Sequence, residues 1–313
     1  MLKHEYQASI IIPVYNDLNI KNCLKSLQDQ NTEYNYEVIV VNDGSTDNKI
    51  REVINTFSRI KVYDQKNQGP AAARNFGAKY ALSNYLCFID ADAVADPNWL
   101  QRLIDKQREK KNQEKTGAIC GGIYSGAKTT WGRAYDLNMF ASCHPSLKEG
   151  KKIAFPTMNF SIKKDLFSQF DGFRPDYRTG EDLDFCLRLH SAGFENWFYP
   201  KAIVCHYHKR HHSRMVIYSS WKQGKNRGGF LRVKWKNKLF KHEPSFRYFP
   251  NHYLKLLVLI GPLSLISTLF LIKLAYRFNK KVVLLFFHLW FLKLVWLLGA
   301  VFCLKKYQRE LKL

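Results

Sequence analysis

The C-terminal third of the sequence has almost no acidic residues. Residues 201–313 hold 2 acidic and 23 basic side chains, whereas residues 1–200 hold 24 acidic and 26 basic ones. The net charge of +23 therefore comes almost entirely from the C-terminal third. Such a surplus needs an anionic partner, which is either nucleic acid or an anionic membrane surface.

The sequence also lacks paired cysteines, a signal peptide and internal repeats. Its seven cysteines include no CxxC pair, which indicates reduced thiols in a reducing compartment. The apolar run at residues 10–15 is too short for a signal peptide, and acidic and polar residues follow it. We therefore expect the first 200 residues to be cytoplasmic.

Short β-rich runs alternate with helical patterns through the first half of the chain. This alternation predicts a largely parallel, Rossmann-like α/β sheet flanked by helices. Beyond Gly117 the pattern is less regular, and a helix predicted at 182–192 ends at Gly193. The predicted strands are 9–14, 37–42, 60–63, 86–89, 118–124 and 158–162, and the first four are separated by predicted helices at 18–28, 47–57 and 71–82.

The C-terminal third predicts a hydrophobic helical hairpin. Basic and aromatic side chains interleave at 225–249, and apolar segments follow at about 254–276 and 282–304. The second segment would be about 34 Å long as a helix, enough to cross a hydrocarbon core of about 30 Å. The first interpretation is a hairpin that spans the bilayer with both ends inside. A hairpin within one leaflet is the second, because the connection is too basic for an external loop.

Two other interpretations of this region remain open. The basic-aromatic stretch is also a candidate nucleic-acid binder, although its position beside the apolar segments suits an interfacial belt better. The apolar segments are also candidate core helices, against which their all-round apolarity and basic flanks argue. The predicted organisation is an α/β domain at 1–224, a basic-aromatic juxtamembrane segment at 225–253, and a membrane hairpin with a basic tail at 254–313.

Polar clusters follow the first two predicted strands, where open α/β sheets bind ligands. Residues 13–17 read PVYND and residues 42–47 read NDGSTD. Asp43 is predicted to bind a ribose hydroxyl or a base N–H. A turn followed by a helix cap is the alternative, and we prefer it for Asp47.

Two further clusters predict phosphate and metal binding. Residues 67–75 form a small-residue turn that opens a helix, whose N-terminus attracts phosphate, and Arg74 follows one turn later. Asp90 and Asp92 end a hydrophobic strand, and side chains two apart share one face. Carboxylate oxygens together with a diphosphate suit a hard divalent ion.

The segment 179–185 places three acids in four positions at a helix start. The helix dipole accounts for one or two of them. Asp182 is predicted to be a general base, with Glu181 supporting it and Asp184 structural. Among the histidines near Cys205, we expect His206, ahead of His208, to join the divalent site. A zinc site is disfavoured because only one cysteine is present there.

Five segments, taken in order, resemble the family 2 glycosyltransferases, which have the GT-A fold. They are SIIIPVYND, EVIVVNDGSTD, NQGPAAARNFGA, FIDADA and GFRPDYRTGEDLDFCLRLHSAGF, and the resemblance covers about residues 8–224. It implies a nucleotide-diphosphate sugar donor, usually a uridine one, a Mn²⁺ or Mg²⁺ ion, and inversion at the anomeric carbon.

The resemblance also implies roles for individual residues. Tyr15 and Asp43 would contact the nucleoside, Arg74 the base or diphosphate, and Asp90 the sugar. Asp92 and His206 would bind the metal, Asp182 would be the base, and Pro13 and Asp17 belong to the nucleotide-sugar set. The segment 156–161 resembles the family's acceptor-side stretch but lacks the small residue before Asn159.

Three functions follow from these observations. The first is an inverting transferase that acts on a lipid-linked or membrane-proximal cell-envelope glycan, with its catalytic domain on the cytoplasmic side of the cell membrane. The second is a polyprenyl-phosphate glycosyl synthase, which needs no base because its acceptor is already ionised. The third is a non-catalytic membrane scaffold or a nucleic-acid binder. The acidic cluster at 179–184 favours the first over the second, and the acids at 90, 92 and 182 argue against an inactive scaffold. No nucleic-acid partner is expected.

Overall fold

The computed structural model describes residues 6–110, 115–177, 179–208, 212–236, 253–276 and 280–310. The chain divides into two compact units. The α/β unit comprises Met1–Gly126 and Cys143–His208, and the helical unit comprises Ala127–Ser142 and Lys209–Leu313.

The helices and strands follow the alternation that the sequence predicts. In chain order they are β1 (Ala8–Val14), α1 (Ile20–Gln28), β2 (Tyr36–Asn42), α2 (Lys49–Asn55), β3 (Ile60–Asp64), α3 (Pro70–Tyr80), β4 (Tyr85–Ile89), β5 (Ala93–Ala95), α4 (Trp99–Glu109), β6 (Thr116–Ser125), α5 (Thr130–Phe140), β7 (Gly150–Lys151), β8 (Asn159–Lys163), α6 (Lys164–Gln169), α7 (Glu181–Ser191), β9 (Glu195–His206), α8 (Ser213–Lys236), α9 (Tyr253–Tyr276) and α10 (Phe286–Glu310).

The strands of the α/β unit form one sheet in the order β3-β2-β1-β4-β8-β6-β9-β5, with β7 beside β9. The β3-β2-β1-β4 part is entirely parallel. Beyond β4 the sheet is mixed, because β8 runs antiparallel to both β4 and β6, while β6 and β9 are parallel. The predicted α/β class with flanking helices is confirmed, and the parallel character is confined to its first half and the β6–β9 pair.

Helix α3 packs very close to the parallel part of the sheet. A Cβ atom added to Gly77 would lie 2.6 Å from Ile11 Cγ2 and 3.2 Å from Val41 Cγ2, so only glycine permits this approach. Arg74 lies one turn earlier on the same helix and is buried. The close packing therefore fixes Arg74 over the carboxyl ends of the strands.

A cluster of phenylalanine rings fixes helix α7 against the sheet. Phe88 on β4 and Phe160 on β8 lie with their ring centroids 6.1 Å apart. Phe173 lies 5.4 Å from Phe88 and 5.1 Å from Phe185 of α7. Aromatic pairs at such separations add about 0.5–1.5 kcal/mol each beyond their buried area. The cluster sets the position of the acidic N-terminus of α7.

The helical unit packs α5, α8 and α10 around a small apolar core. Its fully buried members are Ala134, Val216, Leu289 and Leu292, with Tyr135 almost fully buried beside them. The predicted boundary at residue 224 falls inside α8, because the first turns of this helix already pack on α10. Residues 237–252 of the predicted juxtamembrane segment lie outside the described residues.

The predicted hairpin appears as the helices α9 and α10. Among the described helices, one stretch, Val283–Ala300, is long and apolar enough to cross a membrane, with a mean hydropathy of 2.0. A shorter apolar stretch, Leu263–Lys273, lies in α9.

Asn159 connects three elements of the α/β unit. Its fully buried side chain accepts a 2.8 Å hydrogen bond from Trp99 Nε1 on α4. Its amide donates 2.9 Å bonds to the carbonyl oxygens of Gly122 on β6 and Ala202 on β9. The acceptor-side stretch that the resemblance suggested therefore contains a residue whose contacts hold the sheet together.

We expect Asn159→Ala to lower the free energy of unfolding by about 2–4 kcal/mol, because each buried polar group left unsatisfied costs about 1–3 kcal/mol. Urea denaturation followed by tryptophan fluorescence measures this loss. The control Asn55→Ala, at an exposed position on α2, should change stability by less than about 0.5 kcal/mol. A loss below about 1 kcal/mol for Asn159→Ala would show that the three contacts are dispensable.

Candidate active site

The candidate site lies where β1, β2, β4 and β9 end and where α3 and α7 begin. Parallel strands direct their carboxyl ends to one edge of a sheet, where ligands of open α/β folds bind. Two groups of predicted residues make direct contact at this edge. They are Arg74 with Asp90 and Glu181, and Asp92 with His206.

Arg74 bridges two acids from different elements. Its Nη2 donates a 2.6 Å hydrogen bond to Asp90 Oδ1 after β4, and its Nη1 donates a 2.9 Å bond to Glu181 Oε1 on α7. The guanidinium is buried, and its Nε–H has no hydrogen-bond partner among the described residues. A buried donor of this kind is costly unless water or a ligand oxygen accepts from it.

The charges in this cluster keep Arg74 ionised. Burial by itself lowers the pKa of Arg74, but the carboxylates of Asp90, Glu181 and Asp182 outweigh it and raise the pKa. For Glu181, in contrast, the surroundings favour the neutral form. Burial, followed by the charge of Asp182, raises the pKa of Glu181 to about 7 despite the opposing effect of Arg74. Glu181 is therefore partly protonated near neutral pH.

Asp182 differs from its neighbours in accessibility. It is half-buried, and its Oδ1 accepts a 2.7 Å hydrogen bond from the backbone N–H of Leu183. Asp184 is fully buried, and its Oδ2 accepts a 2.8 Å bond from Arg188 Nε. Of the three acids that begin α7, Asp182 is thus the one that solvent reaches most easily.

Asp92 and His206 offer two metal-ligand atoms at one place. Asp92 Oδ2 and His206 Nε2 lie 3.4 Å apart, and the His206 ring is 5.2 Å from that of His208. The backbone N–H of Tyr207 also donates a 2.7 Å bond to the Asp92 carbonyl, which ties the end of β9 to the turn after β4. One carboxylate oxygen and one imidazole nitrogen fit a divalent ion such as Mn²⁺.

Asp43 sits in a different environment from these acids. Its carboxylate is buried and accepts hydrogen bonds from the backbone N–H groups of Gln68 and Gly69, each at 2.9 Å, and from Gln65 Nε2 at 2.7 Å. The carboxylate therefore holds the loop that begins α3, where Gly69 has a φ of 95°. The predicted contact of Asp43 with a nucleoside stays a prediction.

The residues predicted around the end of β1 lie at the same edge of the sheet. Tyr15 is 51% exposed. Pro13 is half-buried and lies past Ile11, the last residue of β1 that pairs with β4. Asp17 Oδ1 accepts a 3.0 Å bond from the Asn19 backbone N–H, just before α1.

Asn16 organises this part of the site, although no separate role is predicted for it from the sequence. Its Oδ1 accepts from the backbone N–H groups of Thr46 at 2.9 Å and Asp47 at 3.2 Å. Its own backbone N–H donates a 3.0 Å bond to Ser45 Oγ. The φ of Asn16 is 48°, a left-handed conformation that asparagine tolerates better than most residues. The feature of the sequence that could have indicated this role is an asparagine in the turn between Tyr15 and Asp17.

Comparison with known proteins assigns the chain to a family. A family model described as glycosyl transferase family 2 matches residues 9–175, more than half of the chain. The chain belongs to glycosyl transferase family 2. The matched residues include the ends of β1, β2 and β4 and the start of α3, whereas α7 and the end of β9 lie beyond them.

Two glycosyltransferase relatives match about three fifths of this chain, but the match covers very different shares of their own lengths. An uncharacterized glycosyltransferase of Rickettsia felis is 40% identical over 205 residues, which cover 60% of this chain and 31% of the relative. Glycosyltransferase AglE of Haloferax volcanii is 29% identical, covering 64% of this chain and 66% of the relative. The chain thus spans less than a third of the Rickettsia protein.

A third relative and a solved structure complete the comparison. The dolichyl N-acetyl-alpha-D-glucosaminyl phosphate 3-beta-D-2,3-diacetamido-2,3-dideoxy-beta-D-glucuronosyltransferase of Methanococcus voltae is 25% identical, covering 72% of this chain and 76% of the relative. The crystal structure of GalNAc-T7 with UDP, GalNAc and Mn²⁺ is similar with a TM-score of 0.52 at 18% identity, covering 65% of this chain and 44% of that one. This likeness shows the fold.

We expect Glu181→Gln to reduce the pH dependence of stability. The pKa of Glu181 is raised from 4.5 to about 7, so its protonated form stabilises the fold fully below about pH 4.5 and this contribution is lost as the pH rises through 7. The free energy of unfolding should therefore fall less between pH 5 and pH 8 in the variant than in the wild type.

Urea denaturation at the two pH values measures this difference. Glu52→Gln, at an exposed position on α2, is the matched control and should keep the wild-type difference. An unchanged difference in Glu181→Gln would mean that Glu181 is fully ionised in the folded protein at pH 5.

Proposed function

We propose that this chain is an inverting glycosyltransferase that uses a nucleotide-diphosphate sugar, with uridine nucleotides as the first choice. The observation that carries the proposal is the bridge from Arg74 to Asp90 and Glu181, with the half-buried Asp182 beside it. Family 2 membership supports the reaction class, and the fold neighbour solved with UDP, GalNAc and Mn²⁺ supports the donor class.

Asp182 is the proposed general base. Its carboxylate takes the proton of the acceptor hydroxyl as the hydroxyl oxygen bonds to the anomeric carbon. The bond from that carbon to the diphosphate oxygen breaks on the opposite face, and the diphosphate leaves with the electron pair, so the configuration inverts. Glu181 does not compete for this role, because it is buried and paired with Arg74.

Arg74 acts as a positioning residue in this proposal. It holds Asp90 toward the donor sugar and keeps Glu181 in place, while its remaining Nε–H is a donor for a ligand oxygen. Asp92 and His206 would hold Mn²⁺ or Mg²⁺, and the bound ion supplies positive charge against the leaving diphosphate. Tyr15, with Pro13, Asp17 and Asp43 near it on the strand ends, is the proposed platform for the nucleoside.

A lipid-linked or membrane-proximal glycan is the proposed acceptor, with the catalytic unit at the cytoplasmic face of a cell membrane. The Methanococcus voltae relative is named for a dolichyl phosphate-linked sugar acceptor, and Val283–Ala300 is apolar enough for a membrane. The second candidate is a polyprenyl-phosphate glycosyl synthase. The three acids that begin α7 favour a hydroxyl acceptor over an ionised phosphate, because a phosphate needs no base.

We expect Asp182→Asn to lose sugar transfer while it keeps donor binding. Removal of a general base lowers the rate by about 10²–10⁴-fold. The measurements are UDP release from a panel of UDP sugars, with bacterial membrane vesicles as the acceptor source, and UDP affinity by calorimetry. Asp165→Asn, at an exposed position on α6, should retain wild-type rates. Wild-type turnover by Asp182→Asn would exclude it as the base.

We expect Asp92→Ala to abolish the Mn²⁺ dependence of UDP binding, because it removes one of the two ligand atoms that lie 3.4 Å apart. Titration calorimetry of UDP with and without Mn²⁺ measures this. The control Asp29→Ala, at an exposed position after α1, should keep the dependence. If Mn²⁺ still strengthened UDP binding to Asp92→Ala by the wild-type factor, the ion would have to bind elsewhere.

A further inference from the structure

The outward faces of α9 and α10 are apolar, whereas polar side chains of α9 are buried. Ser264 and Thr268 are fully buried within the helical unit. A water-facing helix shows the reverse pattern, with apolar residues inside. The outward apolar residues, between 38% and 77% exposed, include Leu265, Ile266, Leu269 and Phe270 of α9, Leu284 just before α10, and Phe287 and Phe291 of α10.

The charge around this surface identifies its partner as an anionic lipid layer. Exposed apolar patches mark binding sites for proteins or membranes. Residues 201–313 hold 23 basic and 2 acidic side chains, and the sequence between α9 and α10 includes Arg277, Lys280 and Lys281. Apolar side chains flanked by cations suit insertion between anionic headgroups, which attract each cation and accept the apolar face below them.

Helices α8 and α10 pack side by side and run parallel. Val216 packs with Leu289 and Leu292 in the core of the helical unit. Two turns later, a Cβ atom added to Gly224 would collide with the carbonyl of Trp296. A Cβ atom added to Gly299 would lie 2.5 Å from the Trp221 carbonyl oxygen, so the two backbones nearly touch.

This pairing places cations at the depth of the apolar stretch. The middle of Val283–Ala300 lies near Leu292, beside Val216. Arg214 and Lys222 of α8 are exposed on either side of Val216, and Arg133 is exposed on α5, which packs against the same leucines. If α10 crossed the bilayer, these cations would lie in hydrocarbon, where charged side chains are rare and costly.

We infer that the apolar face of α9 and α10 enters one leaflet of an anionic membrane, and that α10 does not cross the bilayer. The cationic helix α8 then remains among the headgroups, and the basic connection between α9 and α10 stays on the side from which the chain approaches. This inference rests on the membrane partner of the proposed function and is independent of the transferase chemistry.

Chemical labelling of the full chain tests the topology. Tyr276, 48% exposed at the end of α9, is replaced by Cys, and Asn55→Cys on α2 is the reference for the α/β unit. Both carry Cys303→Ser, because the six other cysteines are buried. A membrane-impermeant maleimide is applied to sealed cells and to inside-out vesicles.

We expect the cysteines at 55 and 276 to react in the same preparation. The same labelling is made with Gln308→Cys, in the last turn of α10 and also carrying Cys303→Ser. Reaction of Tyr276→Cys or of Gln308→Cys only from the side opposite to Asn55→Cys means that α9 or α10 crosses the membrane, and this result would overturn the inference. Reaction of Tyr276→Cys from neither side would also overturn it, because the end of α9 would then not lie among the headgroups.

Vesicle sedimentation tests the lipid partner separately. Phosphatidylglycerol-containing vesicles should bind the chain, and Phe270→Ser with Phe287→Ser should weaken this binding about tenfold or more, because both rings insert into the leaflet. Tyr80→Ser with Leu82→Ser, which removes exposed apolar side chains of the α/β unit, should have no effect. If the wild type bound UDP but no vesicles, the lipid partner would be wrong while the transferase proposal stood.

Discussion

The buried ion pairs of Arg74 are the interaction on which the site depends. One guanidinium connects α3 to Asp90 after β4 and to Glu181 on α7, a residue 107 positions away in the chain. Removal of one partner from a buried pair costs about 3–5 kcal/mol, because the remaining charge is uncompensated. The acids of the site are therefore assembled by the same packing that forms the core, and they are held in place before any ligand arrives.

This arrangement also separates the properties of two neighbouring acids. Glu181 faces Arg74 and the protein interior, and burial raises its pKa to about 7. Asp182 is one residue further along α7 and points to a more open position. A helix turns successive side chains by about 100°, so two adjacent acids reach different surroundings without any change in the backbone. One of them is suited to hold the site together and the other to accept a proton.

The sequence predicted the parallel half of the sheet and the strand ends at which the candidate acids lie, because both depend on local patterns. Apolar runs of four and five residues lie just before Asp43 and Asp90, and parallel strands bring such ends to one edge. The contacts of Arg74 could not be predicted from the sequence, because its partners lie in distant segments, after β4 and at the start of α7. The sequence also did not predict that the Asp43 carboxylate holds the loop before α3, or that Asn159 links α4, β6 and β9. Hydrogen bonds between distant segments leave no periodic trace in a sequence.

In the helical unit, too, the contacts between helices could not be predicted from the sequence. Hydropathy alone made residues 282–304 a spanning candidate, because an apolar helix of that length satisfies its own backbone wherever hydrocarbon surrounds it. What decides its environment is the neighbour, since α8 meets α10 at Gly224 and Gly299 with almost no space between the backbones. Because the apolar helix α10 packs this closely on the cationic helix α8, both helices must lie at the same depth in the membrane. A leaflet surface offers both environments at once, with hydrocarbon for Phe287 and anionic headgroups for Lys222. It is also where the polar end of a lipid-linked glycan lies.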